Sequence, residues 1–164
     1  MIILGIDPGY AIVGVGVIEY KNNHFRVIDC CAVTTPAEMP FNERLEFIFN
    51  GVTDIIRKYN PETMAIEKLF YNSNAKTVID VSQARGVIIL AAQVHGLSIF
   101  EYTPLQVKQS VVGYGRAEKK QVQEMTKLLL NLNAIPKPDD VADALAMAIC
   151  HAHSSGSLMA RMKA

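Results

Sequence analysis

The chain opens on an apolar run of strand length and composition, Ile2-Ile3-Leu4-Gly5-Ile6, that stops at Asp7. Pro8-Gly9 then breaks it, because Pro removes a backbone donor and Gly admits a positive φ. A second β-rich run covers Val13 to Ile18, so the two predict a hairpin with an acid at its bend. Phe25 to Val33 predicts a third strand. Three strands ahead of any helix imply an antiparallel start to a mixed sheet. Met39-Pro40 opens a helix in which Leu45, Ile48, Phe49, Val52, Ile55, Ile56 and Tyr59 trace one stripe, and Asn60-Pro61 ends it. A fourth strand, Thr63 to Ile66, again runs into an acid, Glu67.

The longest predicted helix covers Lys76 to Val94 and is stopped by Gly96. Its second half, Gly86 to Ala92, is apolar on all sides, so it needs cover on both faces, from simple burial or from a second subunit. Leu97 to Tyr102 predicts a fifth strand. Thr103-Pro104-Leu105-Gln106 supplies a cap, a first-position Pro and a Gln three residues after the cap, opening a short helix that ends near Val112. After the turn Gly113-Tyr114-Gly115-Arg116, Ala117 to Leu132 is predicted helical. Pro136-Lys137-Pro138 forces a break, and Asp139-Asp140 opens the last long helix. Ala142, Ala144, Ala146 and Ala148 let that helix lie close against a sheet. The pattern is α/β: five strands in one mixed sheet, a single domain over residues 1–155, and a flexible tail over 156–164.

A length of 164 residues, half of them hydrophobic and a fifth charged, fits one globular domain with a real core. No apolar run reaches the roughly eighteen residues of a membrane span, and no signal-like segment leads the chain. Cys30, Cys31 and Cys150 have no CxxC spacing, which argues for reduced thiols in a cytoplasm and against a zinc site or disulfide framework. A net charge of zero disfavours a nucleic-acid partner only if the acids are spread evenly. With four carboxylates gathered in one pocket, 16 basic residues face 12 acidic ones elsewhere.

The candidate chemistry lies in the acids. Asp7 reads as a turn cap or as a metal ligand, and Asp140 and Asp143, three apart in a first helical turn, read as caps or as ligands. If the first and fourth strands are neighbours and the last helix packs over them, Asp7, Glu67, Asp140 and Asp143 converge. Two such charges about 4 Å apart repel by about 4 kcal/mol at an effective dielectric near 20. That is large against a total stability of about 5–15 kcal/mol, and divalent cations remove the conflict. All-oxygen ligands select Mg²⁺ or Mn²⁺, and two ions roughly 4 Å apart suit in-line phosphodiester cleavage. His151 and His153 fall too far along the helix to share an ion with Asp143, and they are expected at the surface. Phe70, in the loop after the fourth strand, reads as a core edge or as a ligand contact. The basic stretch holding Lys108, Arg116 and Lys119 reads as a phosphate-contacting surface or as a solvated helix face.

Gly5-Ile6-Asp7-Pro8-Gly9, Ala65-Ile66-Glu67, Gln83-Ala84-Arg85-Gly86, Val107-Lys108-Gln109, Ala117-Glu118-Lys119 and Ala142-Asp143-Ala144-Leu145-Ala146 together closely resemble the RuvC family of crossover-junction endodeoxyribonucleases. Their order and spacing make the resemblance specific over nearly the whole chain. It implies a ribonuclease H-like sheet with helices on both faces, and a Holliday junction resolvase of the bacterial cytoplasm. It also implies metal-binding catalytic roles for Asp7, Glu67, Asp140 and Asp143, with two Mg²⁺ ions, or Mn²⁺ in their place. Phe70 resembles the aromatic that stacks on an unpaired base, and Lys108 and Lys119 resemble basic residues near the scissile phosphate. Arg85 and Arg116 are added as expected DNA contacts. Four-way junction DNA, a homodimer built on the helix around Gly86 to Ala92, a branch-migration motor of the RuvA and RuvB type and a thymine-containing cleavage preference follow from the same likeness. Three rivals remain: an actin- or sugar-kinase-like ATPase, a YqgF-type nuclease acting on RNA, and a junction-binding protein without catalysis.

Overall fold

A computed structural model describes residues 1–68 and 75–162. Its strands are β1 (Ile2–Asp7), β2 (Ile12–Lys21), β3 (His24–Thr34), β4 (Thr63–Glu67) and β5 (Ser98–Tyr102). The helices are α1 (Phe41–Tyr59), α2 (Ala75–Val94), α3 (Pro104–Val112), α4 (Lys119–Leu129) and α5 (Asp139–Met162). The sheet order is β3-β2-β1-β4-β5, with β1, β2 and β3 antiparallel and β1, β4 and β5 parallel. This is the mixed five-stranded α/β sheet that the strand pattern predicts.

The two-residue period of a strand sorts the sheet's side chains between two cores. Leu4, Ile6, Val13, Val15, Met64 and Ile66 face α1 and α2, while Ile3, Ile18 and Ala65 face α3, α4 and α5. On the second face β1 and β2 carry Gly5, Gly14 and Gly16, with Gly5 opposite Gly16 and Asp7 opposite Gly14. These glycines form the floor on which α5 lies. A Cβ at Gly5 would stand 2.1 Å from the Ala144 carbonyl oxygen, and one at Gly14 would stand 1.9 Å from that of Asp140. Neither distance is tolerable, so α5 can approach the sheet this closely only over bare backbone.

The remaining caps obey the local signals. Thr103 and Gln106 form a reciprocal capping box at α3, with Gln106 N donating to Thr103 Oγ1 at 3.1 Å. Asn60 closes α1 in the left-handed conformation. Three elements differ from expectation. Helix α4 starts at Lys119 rather than Ala117, because Ala117 is buried in the core and Glu118 caps the helix with Gln121. Helix α5, with 24 residues, is the longest among the described residues, rather than the helix expected over 76–94, and it runs to Met162. The window Thr77–Val94 of α2 is long and apolar enough to cross a membrane, contrary to expectation. Yet α2 packs on α1 and β5, and it buries Ala84, Ile88, Ala91 and Ala92 in the shared core.

Candidate active site

Strand parity decides where the acids point. Asp7 falls on the same side of β1 as Ile3 and Gly5, and Glu67 on the same side of β4 as Ala65, so both face α5. Ile6 is in register with Ile66, which makes Asp7 and Glu67 lateral neighbours where the two parallel strands end. The first turn of α5 then crosses Gly14, the partner of Asp7, and brings Asp140 and Asp143 over the same spot. Four carboxylates separated by up to 136 positions thus share one end of one sheet face.

Their electrostatics reflect that crowding. Burial first, then the charges of Glu67, Asp143 and Asp140, push the Asp7 carboxyl up to about 8. Burial and Asp143 raise Glu67, while Arg85 and Lys119 oppose the rise. Burial also raises Asp143, against a hydrogen bond from Lys119. Lys119 Nζ lies 2.8 Å from Asp143 Oδ2 and 3.9 Å from Asp139 Oδ2. Among the described residues no three of these groups are already closed around a single ion's position. The donor set nevertheless fits a hard divalent cation: oxygen ligands only, gathered at the cost of mutual repulsion that a dication would relieve. Asp7, Glu67, Asp140 and Asp143 would hold it.

Beside the acids a cleft of about 220 Å³ opens between α3, α4 and α5. Glu67, Asp143, Lys108 and Lys119 supply its polar groups, and Pro104, Val107, Val122, Ala146 and Met147 its apolar walls. Lys108 and Lys119 therefore line one cleft with two of the acids. Arg116 is exposed in the turn before α4. Arg85 is turned inward: its Nε donates to the Glu67 carbonyl oxygen at 3.0 Å, and its Nη2 pairs with Glu101. In this position it anchors the end of β4 and with it the Glu67 side chain. Phe70 lies outside the described residues. Asp139, beside the four acids, is paired with Lys137 and lies 3.9 Å from Lys119 Nζ.

Two features escaped the sequence reading. One is the Lys119–Asp143 ion pair, whose partners stand 24 positions apart and leave no local signal. The other is His151, expected at the surface but only 1 % exposed. Its Nδ1 lies 2.7 Å from Tyr102 Oη, and its ring packs 4.4 Å from that of Phe100. Burial pushes its pKa down to about 4, so the ring is neutral at pH 7. His153 is exposed, as expected. Gly14 and Gly16 do carry a readable signal, two glycines two residues apart and so on one face of β2.

A mixed sheet with acids at the ends of two adjacent parallel strands and at the start of a helix crossing them defines a ribonuclease H-like nuclease. Comparison with known proteins narrows the class. The sequence profile of the crossover junction endodeoxyribonuclease RuvC family matches residues 3–151, and the chain belongs to that family. It is 62% identical over 154 residues, 94% of each chain, to crossover junction endodeoxyribonuclease RuvC of Alkaliphilus oremlandii. The Thermus thermophilus RuvC structure superposes with a TM-score of 0.88 at 34% identity, over 96% of both chains. Thermus thermophilus RuvC in complex with a Holliday junction substrate gives a TM-score of 0.87 at 30% identity, again over 96% of both.

Proposed function

We propose that this protein is a structure-selective endonuclease of the bacterial cytoplasm. It resolves four-way DNA junctions by paired symmetric nicks in homologous recombination and repair, leaving 5′-phosphate and 3′-hydroxyl ends. The observation that carries the chemistry is the convergence of Asp7, Glu67, Asp140 and Asp143 beneath the start of α5, beside a cleft edged by Lys108 and Lys119. Junction substrate comes from the family, one of whose members has been solved on it. Two magnesium ions, or manganese in their place, would supply an activated water and charge neutralisation at the leaving 3′ oxygen.

The chain's own residues do the rest. Asp7, at the end of the central strand, would hold metal together with Glu67 on the neighbouring strand and Asp140 and Asp143 on α5. Arg85 fixes the Glu67 backbone, and with it the origin of this carboxylate. Lys108 and Lys119 offer ammonium groups to phosphate oxygens, and Arg116 extends the positive edge. Such contacts position the strand without reading its sequence. Phe70 would stack on a base left unpaired at the crossover, as an aromatic face can for any base.

A four-way junction presents two equivalent strands, so paired nicks call for two sites related by a two-fold axis. A homodimer through α2 supplies them, since Ile79, Leu90 and Val94 leave an apolar strip of that helix exposed. A branch-migration motor of the RuvA and RuvB type would deliver the junction. The test is a labelled four-way junction incubated with the protein and Mg²⁺. Symmetric nicks in opposing strands, with a linear duplex left intact, are expected; binding without cutting, or ATP turnover, refutes the assignment.

A further inference from the structure

Lys119 occupies an unusual position for a DNA-contacting residue, because its charge is already engaged by the acids beside it. Its ammonium lies 2.8 Å from Asp143 Oδ2 and 3.9 Å from Asp139 Oδ2, and its field reaches both Asp7 and Glu67. A neighbouring lysine, Lys137, takes the other oxygen of Asp139, so Asp143 is the acid that depends on Lys119. The Lys119 side chain remains 58 % exposed while that of Asp143 is 31 % exposed. A flexible, strongly hydrated point charge at the mouth of a cleft can swing out where a planar guanidinium locked in two bonds could not.

A dication that takes Asp143 as a ligand competes for the carboxylate oxygen that Lys119 now holds, and repels the ammonium besides. We propose that Lys119 is a displaceable counter-cation: it neutralises the acids before metal arrives, and metal binding releases it toward a phosphate of the bound junction. Metal and DNA binding are then coupled through one side chain, and the coupling is reciprocal. The inference rests on the reading of the four acids as a metal site.

The first measurement needs no variant. The wild-type protein is treated with a lysine-acylating reagent with and without Mg²⁺, and modification of Lys119 is compared with that of Lys120 by mass spectrometry. Mg²⁺ is expected to raise Lys119 labelling by about five-fold or more, the low end of ordinary coupling factors, and to leave Lys120 unchanged. Calorimetry supplies the second: Lys119→Met should bind Mg²⁺ about five-fold tighter than wild type by the same factor, whereas Lys119→Arg should not. In the third, Ca²⁺ should strengthen junction binding by wild type and lose most of that effect with Lys119→Met. Lys119 labelling that Mg²⁺ leaves unchanged or suppresses, or a Lys119→Met protein that binds Mg²⁺ no tighter, overturns the proposal. If wild type binds no Mg²⁺ at all, the metal-site reading itself fails, and that outcome is distinct from the others.

Discussion

Helices α5 and α2 are both long, apolar and central, yet they meet their surroundings in opposite ways. Helix α5 is enclosed: sheet glycines lie under it, α3 and α4 lie over it, and Val141, Ala142, Ala144, Leu145, Ala148 and Ile149 are all buried. Helix α2 is covered on one side by α1 and β5, and on the other it leaves Ile79, Leu90 and Val94 more than half exposed. The enclosed helix carries two of the acids and covers the other two, which gain from a fixed, partly desolvated position. The half-covered one carries the surface proposed to join two copies. Rigid placement of chemistry and availability for assembly are thus divided between the two faces of one sheet.

The division can be broken most severely at the α5 floor. Gly14→Val would drive a side chain into the Asp140 carbonyl, which a Cβ alone would meet at 1.9 Å. The expected loss is at or above the roughly 1–3 kcal/mol typical of overpacking, read as a lower thermal midpoint. Cutting should vanish with it, because α5 must lift away from Asp7.

Asp7→Asn separates the chemistry from the fold. Cutting is expected to fall by at least about two to three orders of magnitude, the scale for losing one preorganised electrostatic group, with junction affinity largely kept. Stability should respond to pH in a defined direction. A carboxyl whose folded pKa is raised to about 8 from 3.8 favours the folded state while protonated, and that contribution is lost as pH rises through about 8. Glu67 and Asp143 are shifted in the same direction. His151 acts in a different window: its folded pKa is depressed from 6.5 to about 4, so it costs stability only as pH falls below 6.5. Between about pH 6.5 and 8 the metal-free protein should therefore lose thermal stability, and Asp7→Asn should flatten that slope. A slope of the opposite sign would contradict the crowding of the acids.

The smallest effect on the protomer is expected at α2. Leu90 is 53% exposed, so Leu90→Glu should change protomer stability by no more than about 0.5 kcal/mol. It should instead shift the sedimentation profile toward monomer and turn paired nicks into single ones. Unaltered assembly would move the proposed interface away from this strip.

Much of the architecture was written locally. The capping box at Thr103, the stop at Asn60 and the apolar runs of β1, β2 and β4 need only neighbours in sequence, and each is found where its residues place it. Even the shared direction of Asp7 and Glu67 follows from strand parity once β1 and β4 are paired. What the chain could not announce by itself was distance across it. The Lys119–Asp143 contact, the inward turn of Arg85 onto Glu67 and the burial of His151 against Tyr102 and Phe100 each join elements that local pattern leaves independent. Hydrogen bonding and side-chain period act over a few residues and are readable one segment at a time. Burial, desolvation and Coulomb repulsion depend on which segments meet, and here that was decided when α5 settled onto a floor of glycine backbone.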